Sequence, residues 1–233
     1  MSELIILGNG PSSRTFDLHT NTEVWGCNAI YRDTDDCDIV FAVDMPLQKE
    51  IVESGYYRNN LVAFADIDPL PIELLSAFAD TMNNVELSIK EDDTHFIIQG
   101  DDLHTDFLGL RHPETIVTYN DPILKNLFTG MSALGYALLS DFEKITLVGF
   151  DALVNDDPSN VYAGSDNYVH KYNSEHPVLY AQRSQFIALL ERFPSKEVFY
   201  KNPLGESTKI VYNELYYYES SDKWILGQGL ESL

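Results

Sequence analysis

Two glycines separated by one residue stand directly behind the first apolar run of the chain, in Gly8-Asn9-Gly10-Pro11-Ser12-Ser13. A turn of this kind lets backbone amides approach an anion that a Cβ would hold off, so Gly8, Asn9, Gly10 and Ser12 are expected to bind a phosphate. The dinucleotide fingerprint G-x-G-x-x-G is not met, because Ser13 holds the third glycine position and Pro11 is inserted. A tight strand-to-helix turn without any ligand accounts for the spacing equally well.

Asp44 ends an apolar run, where the carboxyl end of a parallel strand faces a ligand crevice. It is expected to bind a ribose or sugar hydroxyl, or else to cap a helix. Asp33-Thr-Asp35 and Asp66-Ile-Asp68 have the form of a metal-binding D-x-D. In a chain with 37 acidic residues such spacing arises readily by chance, and no metal or cofactor is expected.

The elements that must position these groups follow from the apolar pattern. Leu4–Leu7, Glu23–Cys27, Asp38–Val43, Asn60–Ala65 and Ile145–Gly149 are short apolar runs between polar or helical stretches, the form of strands buried on both faces of a parallel sheet. Met131, Leu134, Ala137 and Leu138 recur at helical spacing over 130–140, with Thr129 as the expected cap. A second helix is predicted over 178–192, with Gln182, Arg183 and Gln185 on its polar face and Pro194 beyond its end, and a third from Pro69 to Ala79. Residues 101–112 are ambiguous, and the tail from Thr208 alternates weakly, as edge strands do. The fold class is α/β: a Rossmann-like, mostly parallel sheet flanked by helices. Residues 153–177 are rich in Asn, Asp, Ser and Gly, with Tyr162, Tyr168, Tyr172, His170 and His176 interspersed, and form a small lid insertion. The nucleotide-binding domain is then 1–152 together with 178–233.

Composition narrows the partners. Fifteen Lys and Arg against 37 Asp and Glu leave a net charge of −22. That field repels phosphate backbones and anionic bilayers, so nucleic acid is expected only if a local basic groove presents itself, for instance to a modified DNA base serving as acceptor. Cys27 and Cys37 form no paired ligand pattern and read as free buried thiols. Neither a signal peptide nor a run of membrane-spanning length is present, which gives a cytoplasmic expectation. An assembly of identical chains is compatible with all of this.

The chain resembles the bacterial single-domain sialyltransferases that use CMP-sialic acid. The resemblance lies in Ile5-Ile-Leu-Gly-Asn-Gly-Pro-Ser-Ser13, Cys27-Asn28 with Tyr31, Thr129-Gly130 at a helix start, and Ile145-Thr-Leu-Val-Gly-Phe-Asp151 leading into the polar segment. It covers most of the chain, with residues 45–125 aligning poorly. It implies that Asn9, Gly10 and Asn28 bind the nucleotide, and that Thr129 and Gly130 contact nucleotide and donor sugar. It further implies a lid whose tyrosines serve the leaving phosphate and whose histidine is the general base. Leu153 stands at the first tyrosine position and Tyr162 at the second; His176 is the implied base and His170 the reserve. The family's arginine before the helix start is replaced by Asn126, beside Lys125, which removes a bidentate partner for a carboxylate-bearing sugar.

The residue types suit that chemistry. An imidazole, with an unperturbed pKa of about 6.5, takes a proton from an attacking hydroxyl near neutrality. Phenols stabilise charge growing on a departing phosphate, in place of a metal. The expected function is an inverting, metal-independent glycosyltransferase acting on a nucleotide-sugar donor and a hydroxyl-bearing acceptor. The alternatives are a magnesium-dependent pyrophosphokinase like the pterin pyrophosphokinase-related and motility-accessory proteins, a phage DNA-base glycosyltransferase, or a non-catalytic nucleotide-sugar binding module.

Overall fold

The computed structural model describes residues 2–17, 21–56, 59–65, 85–89, 95–100, 127–154, 159–169, 177–202, 204, 207–210, 215–218 and 223–226. The predicted helix over Pro69–Ala79, the ambiguous stretch 101–112, Asp66-Ile-Asp68, Asn126, His170 and His176 lie outside them.

The apolar runs form the expected strands: β1 (Glu3–Leu7), β2 (Glu23–Cys27), β3 (Ile39–Ala42), β4 (Leu61–Ala65) and, much later, β7 (Lys144–Val148). With β5 (Val85–Ile89), β6 (His95–Gly100), β8 (Glu197–Lys201) and β9 (Ser207–Ile210) they make a sheet in the order β5-β6-β4-β3-β2-β1-β7-β8-β9. The six strands from β4 to β8 run parallel, and β6, β5 and β9 are antiparallel additions at the two sides. A separate hairpin pairs β10 (Leu215–Tyr218) with β11 (Lys223–Leu226).

Alternation along the strands divides the core between two faces. Leu4, Ile6, Trp25, Phe41, Ile145 and Leu147 pack with Met131, Leu134 and Leu138 of α2 (Thr129–Leu139) and with Phe186 and Leu189 of α4 (Pro177–Arg192). Ile5, Leu7, Val24, Val40 and Val148 pack on the other face with Leu47 and Ile51 of α1 (Met45–Ser54) and with Ala29, Ile30 and Tyr31 of the 3₁₀ helix Asn28–Arg32. Tyr162, from the predicted lid, belongs to this second cluster. The predicted lid begins inside a short helix, α3 (Asp151–Val154), and its last residue opens α4.

Two local expectations are corrected. Thr129 is the first residue of α2, and Phe128 holds the cap position. The Thr129 hydroxyl is not free to cap, because it accepts the Val43 N–H at 3.2 Å and donates to Asn28 Oδ1 at 2.8 Å. The polar face of α4 points inward at Arg183, which is 2% exposed and donates through Nε and Nη2 to the Ala152 carbonyl. Gln185 on the same helix accepts the Phe128 N–H at 3.0 Å. Helix ends leave backbone groups unpaired, and these α4 side chains satisfy two of them.

Candidate active site crevice

Between β1 and β7 the order of the parallel strands reverses, and ligands of open α/β sheets bind beyond the carboxyl ends of the strands at such a point. A crevice of about 410 Å³ opens there. Its wall is built from the turns after β1 (Gly8, Asn9, Gly10), β2 (Asn28), β3 (Asp44) and β7 (Gly149, Phe150), from the start of α2 (Gly130, Met131), and from Asn160, Tyr168 and Gln182. Sequence reasoning placed Gly8, Asn9, Gly10, Asn28, Asp44 and Gly130 at a ligand, and all six line this one crevice.

The paired glycines do something other than expected. The N–H of Gly8 donates to Val148 O at 2.7 Å and that of Gly10 to Gly149 O at 2.8 Å. The N–H of Ser12 donates to Asp151 Oδ2 at 3.0 Å. These amides are therefore occupied by the end of β7, the turn after it and the first residue of α3, and do not face an anion. The two turns are neighbours on adjacent strands, and their buried backbone groups satisfy one another. A Cβ on Gly10 would stand 2.3 Å from Asp151 Oδ2 and 2.8 Å from Gly149 O, so glycine is required there by close approach. Gly149 has φ +78° and would place a Cβ 2.2 Å from Gly8 O.

Ser12 is likewise spent on the scaffold. It is 1% exposed, its hydroxyl donates to Asp151 Oδ2 at 2.9 Å, and Ser12 Oγ in turn accepts the Gly149 N–H at 2.7 Å. Asp151 accepts the Tyr200 hydroxyl at 2.7 Å on its other oxygen. The Gly149-Phe-Asp motif is thus the tie between β1, β7 and β8.

Hydrogen bonding fixes which end of each amide faces the crevice. The Thr129 hydroxyl accepts the Val43 N–H on one lone pair and donates its proton to Asn28 Oδ1, which turns that oxygen toward the helix start. Asn28 then offers Nδ2 as a donor. Its backbone has φ 55°, the left-handed region that asparagine tolerates better than most residues. Asn160 Oδ1 accepts the Tyr162 N–H at 2.9 Å, which leaves its Nδ2 as a second donor. The first turn of α2 adds the N–H groups of Gly130 and Met131, which have no intrahelical partners.

The segment 159–169 lies over the turns after β1 and β2. Val161 N–H donates to Asn9 O at 2.8 Å, and Asn9 Nδ2 to the Tyr168 hydroxyl at 2.8 Å. Asn9 Oδ1 is buried without a hydrogen-bond partner among the described residues. Of the described lid tyrosines, Tyr162 and Tyr168, it is Tyr168 that lines the crevice. Tyr162, expected there, is 6% exposed and gives its hydroxyl to Asp33 Oδ2 at 2.7 Å. Burial first, and then that bond to a carboxylate, raise the Tyr162 hydroxyl well above the phenol range. Burial also raises that of Tyr168, against the bonds it accepts from the Ala29 backbone and Asn9. A phenol already accepting two hydrogen bonds has its own proton left to donate.

Arg32 holds the segment down. It donates to Glu50 through Nε at 2.7 Å and Nη2 at 2.6 Å, to Ser165 Oγ at 2.8 Å and to Asp166 O at 2.9 Å. Its guanidinium lies 5.8 Å from the ring centres of both Tyr162 and Tyr168. Asp33, the first residue of the D-x-D at 33–35, pairs with Arg14 at 3.1 Å as well as Tyr162. Among the described residues no three acidic, histidine or cysteine side chains converge as a metal site. Cys27 and Cys37 are free thiols; burial raises Cys27 strongly and pushes Cys37 up to about 12.

The fold and the crevice define a Rossmann-like α/β protein with an open crevice at the switch point of its sheet. No protein-family model matches the chain, and no curated protein matches it in sequence. Among solved structures, the chain is similar to a CstII sialyltransferase variant in complex with CMP, over 88% of this chain and 83% of that one, at 15% identity and a TM-score of 0.45. A second CMP-bound variant gives 87% and 83% coverage, 15% identity and a TM-score of 0.48. CstII from Campylobacter jejuni with the substrate analogue CMP-3FNeuAc gives 86% and 80%, 15% and 0.43. Similarity at this level assigns no chemistry, which has to come from the crevice itself. Among the described residues no helix is long and apolar enough to cross a membrane.

Proposed function

We propose that the protein is a glycosyltransferase that binds a nucleotide-sugar in this crevice and transfers the sugar to an acceptor hydroxyl, with inversion and without a metal ion. The observation that carries the reading is the wall of neutral donors at the switch point: Asn28 Nδ2, Asn160 Nδ2, the Tyr168 hydroxyl and the first-turn amides of α2. Such donors, fixed in place before the ligand arrives, suit phosphate oxygens and stabilise charge as it develops. In the reaction the acceptor oxygen bonds to the anomeric carbon while the bond from that carbon to the phosphate oxygen breaks. The acceptor's proton passes to a base, and the nucleotide leaves with the electron pair. Tyr168 is proposed as the donor to the leaving phosphate. His176 is proposed as the base with His170 in reserve, following the resemblance in sequence, and a cytoplasmic location goes with a nucleotide-sugar substrate.

Calorimetric titration of the full chain with CMP, UDP, GDP and ATP, each with and without magnesium, tests the reading. Binding of one pyrimidine or guanine nucleotide without magnesium is expected. Failure of all four to bind at millimolar concentration sinks it, and ATP binding that appears only with magnesium favours the pyrophosphokinase instead.

A further inference from the structure

Asp44 sits where β3 hands over to α1 and lines the crevice together with the first turn of α2, to which the preceding Val43 N–H is bonded through Thr129. Its carbonyl accepts the N–H groups of Leu47 and Gln48, both at 3.0 Å, so its backbone opens the helix. Its carboxylate has no hydrogen bond or ion pair among the described residues, although the residue faces solvent within the crevice. The other described residues of the wall are uncharged, and none is Lys, Arg or His. Surrounding protein raises the Asp44 carboxyl above the usual range by burial. An unpaired acceptor in that setting gains from any donor brought to it.

We infer that Asp44 is the selector for the transferred group: the crevice takes a nucleotide whose sugar is uncharged and rich in hydroxyls, and turns away one that bears a carboxylate. The inference deepens the nucleotide-sugar reading and rests on it. An ionised carboxylate accepts but does not donate, so it grips neighbouring sugar hydroxyls through its two oxygens. A second carboxylate brought beside it finds no cation among the described wall residues, and the two like charges repel. Amides and a phenol supply the remaining contacts, and these serve hydroxyls and phosphate oxygens without distinguishing a charged sugar from a neutral one. Selection against the charged sugar therefore falls to Asp44.

UDP-glucose and UDP-glucuronate differ only at C6, a hydroxymethyl group against a carboxylate, and CMP with CMP-N-acetylneuraminate provides a cytidine pair that differs by the whole carboxylate-bearing sugar. Both pairs are titrated calorimetrically into the wild-type chain, Asp44→Asn and, as a control for overall charge, Glu53→Gln on the exposed side of α1. The wild type is expected to bind the uncharged or sugar-free member about tenfold more tightly. Asp44→Asn should narrow that gap to about threefold or less by gaining affinity for the carboxylate member, while Glu53→Gln leaves it unchanged. Equal binding of both members by the wild type, a gap that survives Asp44→Asn, or the same narrowing in Glu53→Gln overturns the selector. If none of the four ligands binds the wild type, the nucleotide-sugar reading itself falls, an outcome separable from the other three.

Discussion

Gly10 is enclosed by neighbours that a methyl group cannot displace. Its nearest would-be contact, Asp151 Oδ2, is held by the Ser12 N–H and hydroxyl, and the carboxylate's other oxygen is held by Tyr200. Gly10→Ala should therefore lower stability by about 1–3 kcal/mol, the usual cost of forcing a group into filled space. Urea unfolding checks it, through a lower midpoint at an unchanged slope; an alanine variant as stable as the wild type means that the two turns separate freely. Asn28 is a cleaner probe of the ligand. Glycine suits its φ of 55° without strain, so Asn28→Gly removes the amide and leaves the backbone alone. The expected result is a retained fold, seen by circular dichroism, with nucleotide affinity down about tenfold, the worth of one hydrogen bond to a charged group. Loss of the fold instead assigns the amide to structure through its bond with Thr129.

At the scale of elements, the Arg32–Glu50 pair joins α1 to the segment 159–169, because Asn167 Nδ2 also donates to Glu50 at 2.6 Å and Tyr31 gives it its hydroxyl. Burial raises the Glu50 carboxyl, but the bonds from Arg32, Tyr31 and Asn167 together with the Arg32 charge outweigh it and hold the group below its ordinary value. The sign follows: this stabilisation is fully present above the unfolded-chain value of 4.5 and is lost as pH falls through the lower folded value. Both side chains are only about three-quarters removed from solvent, at 20% and 26% exposure, so the effect is local. Glu50→Gln should lower the exchange protection factors of the Ala163, Ser165 and Tyr168 amides by about tenfold at neutral pH and remove the acid-dependent loss of protection expected of the wild type. Protection unchanged by the substitution means that the segment is held by its contacts to Asn9, Arg32 and Asp33 without Glu50. The same region marks how far the sequence can be read. β1 to β4, β7, α2 and α4 announce themselves by apolar runs or helical spacing. Among the described side chains of α1 the apolar core stripe is Leu47 and Ile51, and in β8 the charged ends of Glu197–Lys201 disguise an inner strand. The crevice residues at strand ends were legible because topology puts strand ends at ligands. The destinations of the Gly8 and Gly10 amides were not, since their partners lie at the end of β7 and on the turn after it, well over a hundred residues away. Choosing Tyr168 over Tyr162 requires the path of the segment, which short-range chemistry does not fix.

The whole molecule carries a net charge of −22 on 233 residues, and folding gathers that charge into a small volume. Self-repulsion of this kind opposes the compact state and is screened over about 30 Å at 0.01 M salt but only about 3 Å at 1 M. Salt also weakens the surface pairs Arg14–Asp33, Lys49–Glu53, Lys144–Glu3 and Lys209–Glu197. Each involves side chains about a third to two-thirds exposed, and pairs of that kind contribute about 0–1 kcal/mol. Repulsion among the excess carboxylates involves far more charges than these few attractions, so screening should stabilise. The melting temperature is expected to rise as sodium chloride is raised from about 0.01 M to about 0.5 M, by roughly 2–4 °C for each kcal/mol of repulsion relieved. Differential scanning calorimetry measures it, with choline chloride as the second salt to separate screening from specific sodium binding; sulfate is avoided because it strengthens apolar burial in its own right. Equal rises in the two chlorides assign the effect to screening. A melting temperature that falls with either salt means that the few ion pairs, the Arg32–Glu50 pair foremost, outweigh the excess negative charge in holding the fold together.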